Sequence, residues 1–168
     1  MARRSALSVA GVLCAVLLAG CGFQLRNSQV YGFQSIAVTP ARGSAVALEV
    51  ARYLGSSVRV VSAPDVQPAP DVILDVLQEQ RDKTVVGVNA SGQVREFQLR
   101  LTVKFRLRTP QGAEPIATTE IVQQRDISFS ETAVLAKEAE ETLLYKDMQA
   151  DIVQQLLRRL GSAKVVNP

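Results

Sequence analysis

Cys21 is the residue whose surroundings most plainly call for covalent chemistry, because it directly follows Leu18-Ala19-Gly20. Arg3 and Arg4, an apolar run from Ala6 to Leu17, and small residues before a cysteine together make a bacterial lipoprotein signal. The run is too short for a membrane span, which takes about 20 apolar residues. A plain secretory signal also ends in small residues, but a cysteine placed after Leu-Ala-Gly makes the segment a lipobox. In that reading cleavage falls between Gly20 and Cys21, the Cys21 sulfur takes a diacylglycerol, and the new amino terminus is acylated. Gly22 follows, with no Asp there to retain the chain at the inner membrane. The expected address is the inner leaflet of the outer membrane, facing the periplasm.

The remaining chemistry is limited by what is missing. Cleavage before Cys21 leaves 148 of the 168 residues, one domain's worth. The removed segment holds two arginines and no acid, so 19 basic against 16 acidic side chains becomes 17 against 16. Any electrostatic role must therefore come from charge placement. Cys14 lies in the signal, which leaves no intrachain disulfide, and the chain has no histidine and no tryptophan. A histidine-based triad, a thiol nucleophile and the usual zinc ligand sets are excluded. Two carboxylate pairs occur, Asp71 with Asp75 in one strand and Asp147 with Asp151 one helical turn apart. Solvated charges at element edges account for both without acid–base work. There is no Gly-rich phosphate loop. The expectation is a non-enzyme without cofactor, metal or nucleic-acid partner.

The elements that position these residues are legible from periodicity. A polar tether runs from residue 21 to 34. Ser35–Thr39 is a short strand, Ser44 caps a helix over Ala45–Leu54 with Gly55 as its stop, and Val58–Val61 is another strand. Val46, Val50 and Leu54 make the helix one-sided. Three prolines between Pro64 and Pro70 mark an exposed connection. Strands follow over Val72–Val88, Val94–Arg108 and Ile116–Phe129, joined by turns at Asn89-Ala90-Ser91-Gly92 and Thr109-Pro110-Gln111-Gly112. In the middle strand Phe97, Leu99, Leu101, Val103, Phe105 and Leu107 alternate with polar residues, the pattern of a sheet with one packed and one wet face. A helix over Ala133–Leu160 ends at Gly161. Its stripe of Leu144, Met148, Ile152, Leu156 and Leu160, joined by Leu143, Val153 and Leu157, faces the sheet or forms a coiled-coil seam. The expected fold is α+β: a two-layer sandwich with a mixed, mainly antiparallel sheet of four to five strands and two helices on one face. The domain is expected over residues 35–162, with a tail from 163 to 168.

Cys21-Gly22-Phe23-Gln24-Leu25-Arg26 is similar to the mature start of the LptE family of lipopolysaccharide (LPS) assembly lipoproteins. Gly92-Gln93 with Glu96-Phe97-Gln98 resembles the family's hairpin. Leu135-Ala136-Lys137, Glu141, Asp147-Met148 and Gln155-Leu156-Leu157-Arg158-Arg159-Leu160 resemble its long C-terminal helix. The resemblance implies a non-enzymatic subunit of the outer-membrane LPS translocon, inserted in the lumen of the β-barrel LptD, assisting its assembly and binding LPS. A different role compatible with the same anchor is regulation of a cell-wall synthase or service to another envelope complex. A periplasmic hydrolase lacks its reactive groups.

The resemblance places Lys137 at a lysine the family associates with LPS contact, while the companion basic position at the hairpin tip is Ala90 here. As an exposed helix residue, Lys137 is also expected to pair with Glu141 at i+4. Arg100, Lys104, Arg106 and Arg108, with Arg95 near the turn, form a basic row that could meet a polyanion. Charge on a wet strand face, which keeps a sheet soluble, is the simpler reading of the row. Val85, Val86 and Val88 either pack beneath the domain's own loop, the default for a β-branched run, or touch a barrel wall or lipid A. Exposure separates the two readings.

Overall fold

The computed structural model describes residues 30–40 and 42–165, so the lipobox and Cys21 lie outside the described residues. Five strands, β1 (Ser35–Thr39), β2 (Arg59–Val61), β3 (Val72–Val88), β4 (Val94–Arg108) and β5 (Ile116–Ser128), form one sheet in the order β2-β1-β3-β4-β5. β1 pairs parallel with β2 and β3, and the other pairings are antiparallel. Helix α1 (Ala45–Leu54) connects β1 to β2, and α2 (Val134–Ser162) closes the domain. Both helices pack on the same sheet face, giving the two-layer α+β sandwich.

The core follows from the alternation in β4. Leu99, Leu101, Val103, Phe105 and Leu107 are fully buried, and Met148, Ile152, Val153, Leu156 and Leu160 of α2 are buried above the sheet. The α2 stripe is therefore a sheet-covering face rather than a coiled-coil seam. Leu143 departs from the expected stripe and is 60% exposed. Burial on α2 begins only at Tyr145, about three turns into the helix.

β3 changes face part-way along, and this decides where its charges go. Leu74 and Val76 stand opposite Leu107 and Phe105 and are buried with them. The register then shifts between Val76 and Gln78, leaving Leu77 as an extra, exposed residue. Such a bulge reverses which alternate residues face the core. Beyond it Glu79, Arg81 and Lys83 stand opposite Val103, Leu101 and Leu99, on the helix side. Glu79 uses that position to hold the start of α1: its carboxylate accepts the Ser44 hydroxyl at 2.7 Å and the Val46 N–H at 3.2 Å. Ser44 Oγ in turn accepts the Ala47 N–H at 2.9 Å, the expected N-cap.

Several boundaries differ from expectation for physical reasons. Tyr31 and Phe33 belong to the domain rather than to a polar tether, because Phe33 is buried and Tyr31 packs against the core beside it. Asp71 lies just before β3, not in the strand with Asp75. Its carboxylate accepts the Gln34 and Ser35 N–H groups at 2.8 and 2.9 Å, and Ser35 Oγ accepts the Asp71 N–H at 3.0 Å. β2 starts one residue late, since the Val58 N–H is used by the Leu54 carbonyl. Gly55 keeps right-handed backbone at φ −59°, and α1 stops because Ser57 and Val58 both donate to Leu54. α2 runs through Gly161 to Ser162; it ends where Ala163 turns extended and packs, with Val165, on the core. Gly92 and Gly112, at φ 80° and 95°, occupy the left-handed turn positions that favour glycine.

Leu156 is fully buried and Leu143 mostly exposed, so the two leucines of one helix separate packing from propensity. Leu156→Ala is expected to lower stability by about 2–5 kcal/mol in urea unfolding, whereas Leu143→Ala changes it by no more than about 0.5 kcal/mol. Equal losses would mean that α2 packs through a different face.

Candidate functional site

Two regions hold the residues that the sequence singles out: the wet face of β4 and the far end of the β3–β4 hairpin. On the wet face, bonding within the sheet already engages most of the basic row. Arg106 Nε and Arg108 Nε both donate to Asp75 Oδ2 at 2.8 Å, and Thr39 Oγ1 donates to Asp75 Oδ1 at 2.7 Å. Arg106 also reaches Glu114 at 3.3 Å, and Lys104 lies 3.5 Å from Glu120. Arg100 stands in register with Asp82 and Gln124 and forms no ion pair among the described residues. Of the row, Arg100 alone keeps an uncommitted cation.

Asp75 is the electrostatic centre of this face, with only 8% of the residue exposed. Burial pushes its carboxyl up, but the hydrogen bonds from Arg108, Thr39 and Arg106 outweigh that effect and hold it below the ordinary aspartate value. A carboxylate held ionised by two guanidinium groups ties β1, β3 and β4 together; it is not a proton donor or acceptor at neutral pH. Of the other carboxylate pair, Asp151 is engaged in structure, accepting from Arg125 Nη2 of β5 at 2.8 Å.

At the hairpin end, Lys137 does not pair with Glu141. Its Nζ donates to Glu140 at 2.8 Å and to the Ser128 hydroxyl at 2.9 Å. Glu141 is taken instead by Lys83 of β3, at 2.6 Å. Lys83 Nζ also stands 4.4 Å from the Phe97 ring centroid, and Phe97 meets Phe129 edge to face at 5.4 Å. Lys83, Phe97, Ile127, Phe129, Val134 and Lys137 line a cavity of about 60 Å³ together with Ser128, Glu138 and Glu141. Sequence reasoning passed over Lys83 and Phe129. The usable signal was the face reversal after Leu77, which turns Lys83 toward α2.

Beyond Lys83 the hairpin runs past the helical layer. Val85, Val86 and Val88 are 46%, 49% and 60% exposed, so packing beneath the domain's own loop gives way to an accessible apolar tip. Leu135, at the start of α2, is exposed as well. Ala90 sits in the turn, where Asn89 Oδ1 accepts the Ser91 and Gln93 N–H groups at 3.0 and 2.9 Å. No helix among the described residues is long and apolar enough to cross a membrane.

The family model described as LptE, lipopolysaccharide-assembly, matches residues 33–160. The LPS-assembly lipoprotein LptE of Pectobacterium atrosepticum is 27% identical, over 92% of this chain and 86% of its own. The solution NMR structure of lipoprotein B from Nitrosomonas europaea matches at 34% identity with a TM-score of 0.67, covering 82% of this chain and 88% of that one. The crystal structure of rare lipoprotein B from Shewanella oneidensis shares the fold at 21% identity and a TM-score of 0.63, covering 76% and 94%.

A carboxylate whose folded pKa is depressed contributes stability above its unfolded pKa, near 3.9, and loses that contribution as pH falls through the folded value. Asp75→Asn is therefore expected to cost about 2 kcal/mol at pH 7, with the gap to the parent narrowing as the pH drops below about 4. Chemical denaturation at a series of pH values checks this. A gap independent of pH would show that the Asp75 charge contributes nothing.

Proposed function

The chain belongs to the LptE family of lipopolysaccharide-assembly proteins, and from that premise we propose that it is a non-enzymatic, lipid-anchored subunit of the outer-membrane LPS translocon. In this reading Cys21 carries the acyl chains, the domain sits in the lumen of an LptD-like β-barrel whose assembly it assists, and LPS is its ligand. The observation that carries the proposal is the family match, which spans nearly the whole described domain from β1 to the last turn of α2.

The surface supports the seat in a barrel. Barrel lumens are polar, and the uncovered sheet face presents Gln78, Gln80 and Asp82 beside Arg100, Thr102 and Lys104. The three exposed valines give the hairpin tip an apolar contact for the barrel wall or for lipid A. LPS carries phosphates and acyl chains, and Lys137 offers a cation beside that apolar end. A phosphate reaching Lys137 has to displace Glu140 and the Ser128 hydroxyl. Little opposes that exchange, because Glu140 is half exposed and such surface ion pairs contribute only about 0–1 kcal/mol. Arg100 is the remaining candidate on the wet face, with Lys104, Arg106 and Arg108 held by acids.

Affinity purification of the mature protein from membranes is expected to recover an outer-membrane barrel. Recovery of a cell-wall synthase with no barrel would overturn the proposal. Replacing Val85 and Val86 together by Asp is expected to cut barrel recovery severalfold with an unchanged melting temperature. Lys137→Ala is expected to weaken LPS binding about tenfold, the loss of one charge-assisted contact, while barrel recovery stays as in the parent. Undiminished LPS binding would remove Lys137 from the site.

A further inference from the structure

Among the described cations without an ion pair, one group of four surrounds the point where the chain leaves toward Cys21. The described chain begins at exposed Val30, beside the α1 end and the start of β2. Gly32 abuts the α2 terminus so closely that a Cβ there would stand 3.3 Å from the Ala163 carbonyl oxygen. Arg158 and Arg159 lie in the last turns of α2, Lys164 just past it, and Arg59 opens β2, where its N–H donates to the Gln34 carbonyl at 2.9 Å. None of these four cations has an ion-pair partner among the described residues. Arg159 rests over the Phe105 ring, and the other three are exposed to solvent. The acids nearby are already engaged: Asp71 by two backbone N–H groups, Glu114 by Arg106 and Asp151 by Arg125. Asp65, in the exposed connection after β2, is the one acid of this region without a described partner.

A favourable helix dipole explains a cation or two at the end of α2. It does not explain Arg59, which is on another element, or Lys164, which is beyond the helix. We infer that Arg59, Arg158 and Lys164, with Arg159 behind them, form a surface that rests on the anionic phospholipid headgroups around the lipid anchor and sets the orientation of the domain. The inference relies on the anchor at Cys21. From Cys21 to Val30 the chain spans at most about 30 Å, so the anchor holds this end of the domain near the bilayer. The hairpin tip lies at the other end of β3, whose 17 residues extend about 55 Å. A tether alone lets the domain lie on any side. Cations within a Debye length of the surface, about 8 Å, select one side by attraction to headgroup phosphates. The selected pose, held before the domain enters the barrel, stands it on its exit end with the valine tip farthest from the headgroups.

The test uses the mature lipidated protein carrying Ser56→Cys, an exposed thiol at the exit end, labelled with a fluorophore and reconstituted into vesicles. Headgroup spin-labelled lipid quenches a label held at the surface. Quenching is expected to be severalfold stronger on phosphatidylcholine vesicles containing phosphatidylglycerol than on phosphatidylcholine alone, and to fall to the neutral level in 0.5 M salt. Arg59→Gln, Arg158→Gln and Lys164→Gln together are expected to abolish the difference, while the melting temperature stays within a few degrees. Equal quenching on both vesicles overturns the headgroup surface, as does quenching that responds only to vesicles carrying LPS. Failure to float with phosphatidylcholine vesicles at all overturns the anchor instead, so the two readings fail separately.

Discussion

Everything in this domain hangs on one apolar seam, the row Leu99 to Leu107 of β4 pressed against α2. With no disulfide in reach, burial is the main source of stability, and each fully buried large side chain contributes about 1.5–3 kcal/mol. The seam also fixes the shape. Strands rise about 3.3 Å per residue and helices about 1.5 Å, so the 29 residues of α2 span less length than the 17 of β3. A sheet longer than its cover must expose one end. The hairpin tip is that end, and its valines are exposed because the helix start lies short of them.

The parts that were readable in the sequence are those governed by local period. The alternation of β4, the one-sided helix Val46, Val50 and Leu54, and the Ser44 cap need only neighbours a few residues away. The rest depends on partners that register brings together. Glu79 caps α1 from 35 residues away along the chain, and Arg106 and Arg108 meet Asp75 across the sheet. Lys137 has Glu140, Glu141 and Ser128 within reach; which of them it chooses follows from Lys83 having claimed Glu141. Tyr31 and Phe33 read as tether because two aromatics among polar residues carry no period. Their packing on the core is purely tertiary.

Charge in the domain is organised by length rather than by net sign. The wet face of the sheet consumes most of its ions internally, in the Asp75 centre and the Lys104–Glu120 pair, and leaves Arg100 open. At the hairpin end, Lys83 and Lys137 are held by acids of α2 beside an aromatic pair. The exit end leaves its cations open. An elongated body with an apolar tip and a cationic base has a defined long axis, which suits a part that must sit in one direction within an envelope.

The bulge at Leu77 has a consequence for how this sequence can drift. Because it sets the parity of everything that follows in β3, a regular pairing of Leu77 with Lys104 in its place would turn Glu79, Arg81 and Lys83 outward. Gln78, Gln80 and Asp82 would then be driven beneath the helices. The α1 start and the Lys83–Glu141 tie would go together, although neither lies at Leu77. Loss of Leu77 itself would leave Gln78 opposite Lys104 and the later faces unchanged, so length changes among relatives should fall at Leu77 or at the Asn89–Gln93 turn and spare the stretch from Gln78 to Val85.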